Sequence, residues 1–244
     1  MDIPKAISER FINVDPLQET YHESIAENPK HLEEEKKGEV ALLCIDMQYL
    51  DAAEGHGVFK EVIHSGVSIE TQEYYFRTLK EYVFPNVRRL QDTFRDRGLE
   101  IIHVRIQSLT EDGRDRSMNH KNLRLHAAPG SKEAEFMPEV APINDEIIIN
   151  KTASGVFNST NIEYVLKNIG VKTLFITGVY TNECVETTVR DASDKGFGVT
   201  LIEDACTTVT RQLHEFSIAT LRDRYARILN TAKAIEEICD YVMV

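Results

Sequence analysis

The chain has 244 residues, a formal net charge of −12 at pH 7, and hydrophobic and charged fractions of 42% and 28%. These proportions are typical of a globular protein with one sizeable core, and they exclude a disordered chain. The negative charge disfavours binding to nucleic acid or to anionic membranes, and no apolar run reaches the roughly 18 residues of a transmembrane helix. We expect a cytoplasmic protein with reduced thiols, because the sequence shows neither a signal-peptide pattern nor a CxxC pair among its four cysteines.

The beginning of the chain differs from the rest. Residues 1–38 are polar, contain the charged run HLEEEKKGE, and show little apolar periodicity. We interpret them as an N-terminal arm that contacts the domain or a neighbouring subunit. Residues 39–244 are interpreted as one domain.

Strand and helix patterns alternate from Val40 onward. Short apolar runs predict buried strands over 40–45, 101–106, 146–150, 171–177, 199–202 and 227–229. Apolar spacings of three and four predict helices over 79–94, where Pro85 would bend the helix, and over 162–169, 184–193 and 213–225, with a last helix after the sixth strand. The polar stretch 108–139 is typical of a functional loop or lid. This alternation predicts a three-layer α/β/α domain with a parallel sheet.

Three reactive side chains fall at the ends of predicted strands. Asp46 closes the first strand, Lys151 follows the third, and Cys184 begins the helix after the fourth. Ligands bind at the carboxyl ends of parallel strands, so these side chains are candidates for nucleophilic catalysis. The dipole of the helix should stabilise a thiolate and lower the pKa of Cys184. Taken singly, each residue also has an ordinary structural explanation, as a helix cap, a solvated lysine or a packed thiol.

Four segments resemble those of the isochorismatase-like cysteine hydrolases. The segment GVYTNECVETTVRDA is similar to the family's nucleophile segment, and LLCIDMQ to its aspartate signature. The segments NKTASGVFNST and IEDACTTVTRQLHEFSIATL are similar to its lysine segment and its C-terminal signature. Together they cover about residues 40–221. The resemblance implies a six-stranded, Rossmann-like sheet with strand order 3-2-1-4-5-6.

The same resemblance implies a role for each reactive side chain. Cys184 would be the nucleophile, Asp46 would accept the thiol proton, and Lys151 would stabilise both the thiolate and the carboxylate. It also implies a cis peptide bond between Val179 and Tyr180. The N–H groups of Tyr180 and Cys184 would then form an oxyanion hole.

The substrate candidates follow from the cysteine and from the polar residues near these segments. True isochorismatases have glycine at the position of Cys184, so the resemblance favours an amidohydrolase that acts on a small amide or ureido compound of the ureidoacrylate, biuret or N-carbamoyl type. A ureido group needs amide and hydroxyl partners. The candidate substrate-binding residues are Gln48, Gln107, Phe157, Tyr180 and Asn182. Each polar residue among them also has an alternative explanation as a local loop or cap hydrogen bond.

We expect neither a metal nor another cofactor. Nicotinamidases of the family carry a D-x-H metal motif, which is missing from HVRIQSLTEDGRDRS after the second strand. Asp51, Glu54 and His56 are interpreted as a solvated loop, and His103 and His214 as packing residues.

The expected partner is a small-molecule substrate, and the family favours a homo-oligomer, either a dimer or a tetramer. Two alternatives stay open. One is a nicotinamidase-like or ester hydrolase of the same superfamily, and the other is a catalytically silent module that binds a metabolite or a protein.

Overall fold

Six parallel strands form the centre of the molecule in a computed structural model that describes residues 15–60 and 66–241. The strands lie in the order β3-β2-β1-β4-β5-β6. They are β1 (Val40–Ile45), β2 (Glu100–Ile106), β3 (Ile147–Lys151), β4 (Thr173–Val179), β5 (Gly198–Thr207) and β6 (Arg227–Leu229). The predicted fold class and strand order are therefore confirmed.

Helices cover both faces of the sheet. Within the described residues the α-helices are α1 (Gln18–Tyr21), α2 (Pro29–Lys36), α3 (Tyr49–Ala52), α4 (Ile69–Thr78), α5 (Phe84–Asp96), α6 (Met118–Asn122), α7 (Val156–Ser159), α8 (Ile162–Asn168), α9 (Glu186–Asp194), α10 (Arg211–Leu221) and α11 (Thr231–Cys239). Short π-helical segments lie at His22–Ala26, Leu79–Val83 and Thr181–Val185, and short 3₁₀ segments at Gly57–Phe59, Lys132–Ala134 and Pro138–Val140. None of these helices is long and apolar enough to cross a membrane.

The central strand β1 shows how the two cores arise. Its side chains alternate between the faces of the sheet, as the pleat requires. Val40, Leu42 and Cys44 belong to the core beneath α4, α5 and α11. Ala41, Leu43 and Ile45 belong to the opposite core, beneath α8, α9 and α10. Because both faces are covered, β1 is apolar throughout and fully buried.

Some element boundaries differ from the predicted ones. The helix expected over 79–94 begins earlier, at Ile69, and passes through the π-helical segment Leu79–Val83 before α5. Pro85 lies in the first turn of α5, directly after that π-helical segment, and the predicted bend stays a prediction. Strand β5 continues to Thr207, beyond the predicted end at residue 202, because its second half pairs with the end of β4 after a register shift.

The described part of the predicted arm packs against the domain of its own chain. Glu35 of α2 is buried, and its Oε2 atom lies 3.2 Å from Nη2 of Arg227. The same oxygen accepts a hydrogen bond from the Tyr241 hydroxyl at 2.9 Å. Arg227 also contacts Glu237 at 2.6 Å. This buried cluster holds α2 against β6 and α11, while residues 1–14 of the predicted arm lie outside the described residues.

Glu35→Ala should lower the free energy of unfolding by about 3 kcal/mol, because it breaks a buried ion pair and leaves Arg227 with less compensation. Urea denaturation measures this loss. The matched control is Glu33→Ala in the same helix, which removes an exposed pair with Lys37 and should cost much less. Equal losses in the two variants would contradict an anchoring role for Glu35.

Candidate active site

Asp46 and Lys151 meet at the carboxyl edge of the sheet. Asp46 directly follows β1 in a left-handed conformation, with φ 54°, which aspartate tolerates better than most residues. Lys151 is the last residue of β3 and is in register with Ile106 of β2. Its long side chain passes the end of β2, which separates β1 from β3, and places Nζ 2.9 Å from Oδ2 of Asp46. Both side chains are almost completely buried.

Cys184 approaches the same point from the other side of β1. It lies in the π-helical segment Thr181–Val185, which follows β4, and Nζ of Lys151 donates to its sulfur at 3.3 Å. The ammonium group also donates to the carbonyl oxygen of Ala153 at 3.1 Å. Lys151 therefore makes two hydrogen bonds and one ion pair at this point.

The end of β4 is built for close approach to β1. Gly178 is in register with Ile45 and has φ 128°, and a Cβ atom at this position would overlap the carbonyl oxygen of Ile45. Only glycine fits there. The next peptide bond, between Val179 and Tyr180, is cis. The chain then enters the segment that carries Cys184, where a buried hydrogen bond of 2.8 Å joins Thr181 to His214 of α10.

Burial determines the direction of the pKa shift for two of the three side chains, Cys184 and Asp46. It raises the pKa of the Cys184 thiol well above its ordinary value, against the opposing effect of the Lys151 ammonium. The prediction of a lowered thiol pKa is therefore wrong, because it considered the helix dipole and omitted desolvation. Burial also raises the pKa of Asp46, again opposed by Lys151. Desolvation disfavours the charge on Lys151, but Asp46 and Cys184 outweigh this effect and raise its pKa. These shifts favour an ammonium on Lys151 and a protonated thiol on Cys184, both beside the buried carboxyl group of Asp46.

Cys184 lies on the wall of a cavity of about 580 Å³. The predicted functional stretch 108–139 contributes part of this wall through α6 and the residues after it. Several polar residues of the wall were not among the predicted site residues: Asp51, Asn119, His120, Asn122, Ser154 and Glu183. The sequence places Asn119, His120 and Asn122 in a long polar segment. Without periodicity in that segment, it does not show which of these side chains face the cavity.

Of the predicted substrate-binding residues, Tyr180 lines this cavity. Its hydroxyl donates to the backbone oxygen of Asp51 at 3.1 Å. Gln48 is fully buried and does not line it. The amide nitrogen of Gln48 donates to the carbonyl oxygens of Ile106 at 2.9 Å and Glu133 at 2.8 Å, and its oxygen accepts from the Ile106 N–H at 2.5 Å. The amide therefore ties the loop to the end of β2 and has no donor left for a substrate.

The other three predicted substrate-binding residues also lie off the cavity wall. Phe157 packs in the core, with its ring centroid 5.8 Å from that of Phe197. Asn182 accepts a hydrogen bond from the Thr208 hydroxyl at 2.5 Å. Gln107 is half-buried after β2, and its backbone N–H donates to the Lys151 oxygen at 3.0 Å. The Asn182 contact is made within the fold, to a residue distant in sequence, and the Gln107 contact involves only its backbone.

The segment after β1 was interpreted as a solvated loop, and this is wrong for Asp51. Asp51 lies in α3 and is buried, whereas Glu54 is exposed. His56 is partly buried, 3.6 Å from Glu133. Burial, together with the nearby charge of Asp46, raises the pKa of Asp51 well above its ordinary value. Across residues 15–60 and 66–241, no group of three or more His, Cys, Asp or Glu side chains is arranged to hold a metal ion.

The three buried histidines among the described residues divide into packing residues and one residue of the cavity wall. His103 lies inside β2 and pairs with Glu146 at 2.9 Å, and His214 is buried against Thr181, so both pack within the fold. His120, in contrast, lines the cavity and is buried. Desolvation lowers its pKa to about 4, so its ring is neutral at pH 7.

Comparison with known proteins identifies the family. The isochorismatase domain matches residues 40–233. The chain therefore belongs to the isochorismatase family of hydrolases, as its sequence segments indicated. The uncharacterized isochorismatase family protein YrdC of Bacillus subtilis is 29% identical over 165 residues, which are 62% of this chain and 81% of the relative.

Relatives whose names state an activity match shorter parts of this chain. N-carbamoylsarcosine amidase of an Arthrobacter species is 29% identical over 122 residues, covering 48% of this chain and 46% of that protein. Nicotinamidase 3 of Arabidopsis thaliana is 33% identical over 106 residues, covering 43% of this chain and 54% of that protein. Among solved structures, a cysteine hydrolase from Pseudomonas syringae has a TM-score of 0.69 at 20% identity and covers 84% of this chain and 95% of its own. That likeness establishes a shared fold.

Lys151→Met should slow the alkylation of Cys184 by iodoacetamide at least tenfold at pH 8. The ammonium is the charge that opposes the raised thiol pKa, so its loss moves that pKa further upward and leaves less thiolate. Peptide mass spectrometry after timed alkylation gives the rate, and circular dichroism checks folding. Lys195→Met, which removes a surface lysine paired with Glu163, is the control and should not change the rate. An unchanged rate in Lys151→Met would refute the electrostatic coupling.

Proposed function

We propose that this hydrolase is a cysteine-dependent amidohydrolase that cleaves a C–N bond of a small amide or ureido compound, of the ureidoacrylate, biuret or N-carbamoyl type. The observation that carries the proposal is the ammonium group of Lys151, held 2.9 Å from the carboxylate of Asp46 and 3.3 Å from the sulfur of Cys184. The cysteine also reaches a cavity that is large enough for a small substrate. The amidases among the relatives support this choice of reaction.

The first half of the reaction forms a covalent intermediate. Asp46 takes the proton of the Cys184 thiol, and the sulfur attacks the carbonyl carbon of the substrate. Lys151 stabilises the negative charge as that charge passes from the carboxylate of Asp46 to the sulfur of Cys184. The carbonyl oxygen becomes an oxyanion, which the backbone N–H groups of Tyr180 and Cys184 would bind.

The second half releases the products. The C–N bond breaks, and the leaving ammonia or amine takes the proton from Asp46. The acyl or carbamoyl group stays on the sulfur until water attacks it, with Asp46 accepting a proton from that water. The S–C bond then breaks and the thiol recovers its proton. The raised pKa of Asp46 suits this role, because the carboxyl group must accept and return a proton twice in each turnover.

A nicotinamidase-like activity is the second candidate. The 33% identity to nicotinamidase 3 over 106 residues favours it, and the same three side chains would carry out the reaction. A substrate panel separates this candidate from the ureido compounds.

We expect the wild-type protein to release ammonia from at least one member of a panel of ureidoacrylate, biuret, N-carbamoyl amino acids and nicotinamide. Cys184→Ala should lower that rate at least about 1,000-fold, because it removes the nucleophile. The product is followed by an ammonia assay, and intact-mass spectrometry detects the acylated enzyme. Cys239→Ala removes an exposed thiol and is the matched control, with activity equal to that of the wild type.

Two results would defeat the proposal. One is Cys184→Ala with wild-type activity, and the other is a folded wild-type protein that hydrolyses nothing in the panel. The second result would favour a catalytically silent binding module.

A further inference from the structure

We infer that the cavity selects substrates whose non-reacting end presents N–H donors and rejects a carboxylate there, and that Asp51 is the residue that makes this choice. The inference rests on the proposed function, since it takes the carbonyl group of the substrate to lie at Cys184. It narrows the substrate class beyond small amide and ureido compounds.

Asp51 is a buried acceptor without a protein partner. Asp51 is only 3% exposed, and it lines the same cavity as Cys184. Its Oδ2 atom has no hydrogen-bond partner among the described residues. A buried polar atom is normally hydrogen-bonded, so an unpaired one on a cavity wall indicates the place of a ligand group.

The position of Asp51 is fixed by its surroundings. The hydroxyl groups of Tyr75 and Tyr180 donate to its backbone oxygen at 2.9 and 3.1 Å. The rings of these two tyrosines are stacked, with centroids 5.3 Å apart. Since the backbone of α3 is held at this point, the carboxyl group is presented from a rigid wall, as a specificity residue requires.

The cavity wall does not compensate the charge of a carboxylate ligand. Asp51 and Glu183 both lie on the wall, burial raises the pKa of each, and none of the described lining residues is lysine or arginine. Lys151 already contacts Asp46 and Cys184 behind the wall. His120 supplies no positive charge at pH 7, because desolvation lowers its pKa to about 4. A buried carboxylate needs a cation or several donors, and this wall offers it an acid group.

An N–H donor would satisfy the same wall. It would pair with the free oxygen of Asp51 and remove the cost of leaving that oxygen unpaired. Among the ureido compounds, neutral ones with several N–H groups meet this requirement, and those ending in a carboxylate do not.

The test measures binding without turnover, in the Cys184→Ala background. 4-Ureidobutyramide and 4-ureidobutyrate have the same shape and differ only in an amide in place of a carboxylate. Isothermal titration calorimetry at pH 7 should show the amide binding at least tenfold more tightly. Adding Asp51→Asn should reduce this preference at least tenfold, because a carboxylate can bind beside Asp51 only if Asp51 holds a proton, whereas the asparagine amide donates without one. Glu54→Gln, which makes the same acid-to-amide change at an exposed position in the same segment, should leave the preference unchanged.

Three results would overturn the inference: equal or tighter binding of the carboxylate, no binding of either compound, or a preference that Asp51→Asn does not change in a folded variant. A clear preference for the amide, with no wild-type turnover of any panel compound, would instead defeat the proposed function and leave the selectivity of the cavity established.

Discussion

The rest of the site depends on one buried ammonium group. Lys151 lies between a carboxylate and a thiol, and all three groups are almost removed from water. A single charge in such a place would cost several kcal/mol, so each group is tolerable only because of the others. The sheet makes this possible, since β3, β1 and β4 deliver the lysine, the aspartate and the segment with the cysteine to one edge from three separate parts of the chain.

Burial outweighs the helix dipole in setting the state of Cys184. A helix terminus contributes roughly 0.3–1 kcal/mol, and up to about 2 kcal/mol in favourable geometry. Desolvating a thiolate costs more than this, and the π-helical segment Thr181–Val185 does not offer Cys184 the exposed first turn of a regular helix. The raised pKa keeps the thiol protonated. In the proposed reaction, the thiolate would then form only beside the substrate, where Asp46 takes the proton and Lys151 stabilises the charge.

The sequence predicted the parts of the site that depend on strand order. Asp46, Lys151 and Cys184 follow apolar runs, and the carboxyl ends of parallel strands converge, so their meeting point could be inferred without coordinates. Gln48 could not be placed in the same way. It stands two residues after Asp46, yet its amide bonds to Ile106 and Glu133, which are distant in sequence. Local spacing carries no information about such partners, and a polar residue near a motif is therefore a weak predictor of substrate contact.

Two aspartates five residues apart illustrate how neighbours assign different tasks to the same group. Asp46 has the ammonium of Lys151 beside it, which opposes the rise in pKa that burial causes, and in the proposed reaction it exchanges protons with the sulfur. Asp51 has no ion pair with this ammonium; burial and the negative charge of Asp46 raise its pKa, against the more distant charge of Lys151. Its carboxyl group is satisfied only when a donor arrives in the cavity. Pairs of carboxyl groups with divergent environments commonly divide the work of an active site. In the proposed reaction and the inferred selectivity, Asp46 would transfer protons and Asp51 would recognise an N–H group.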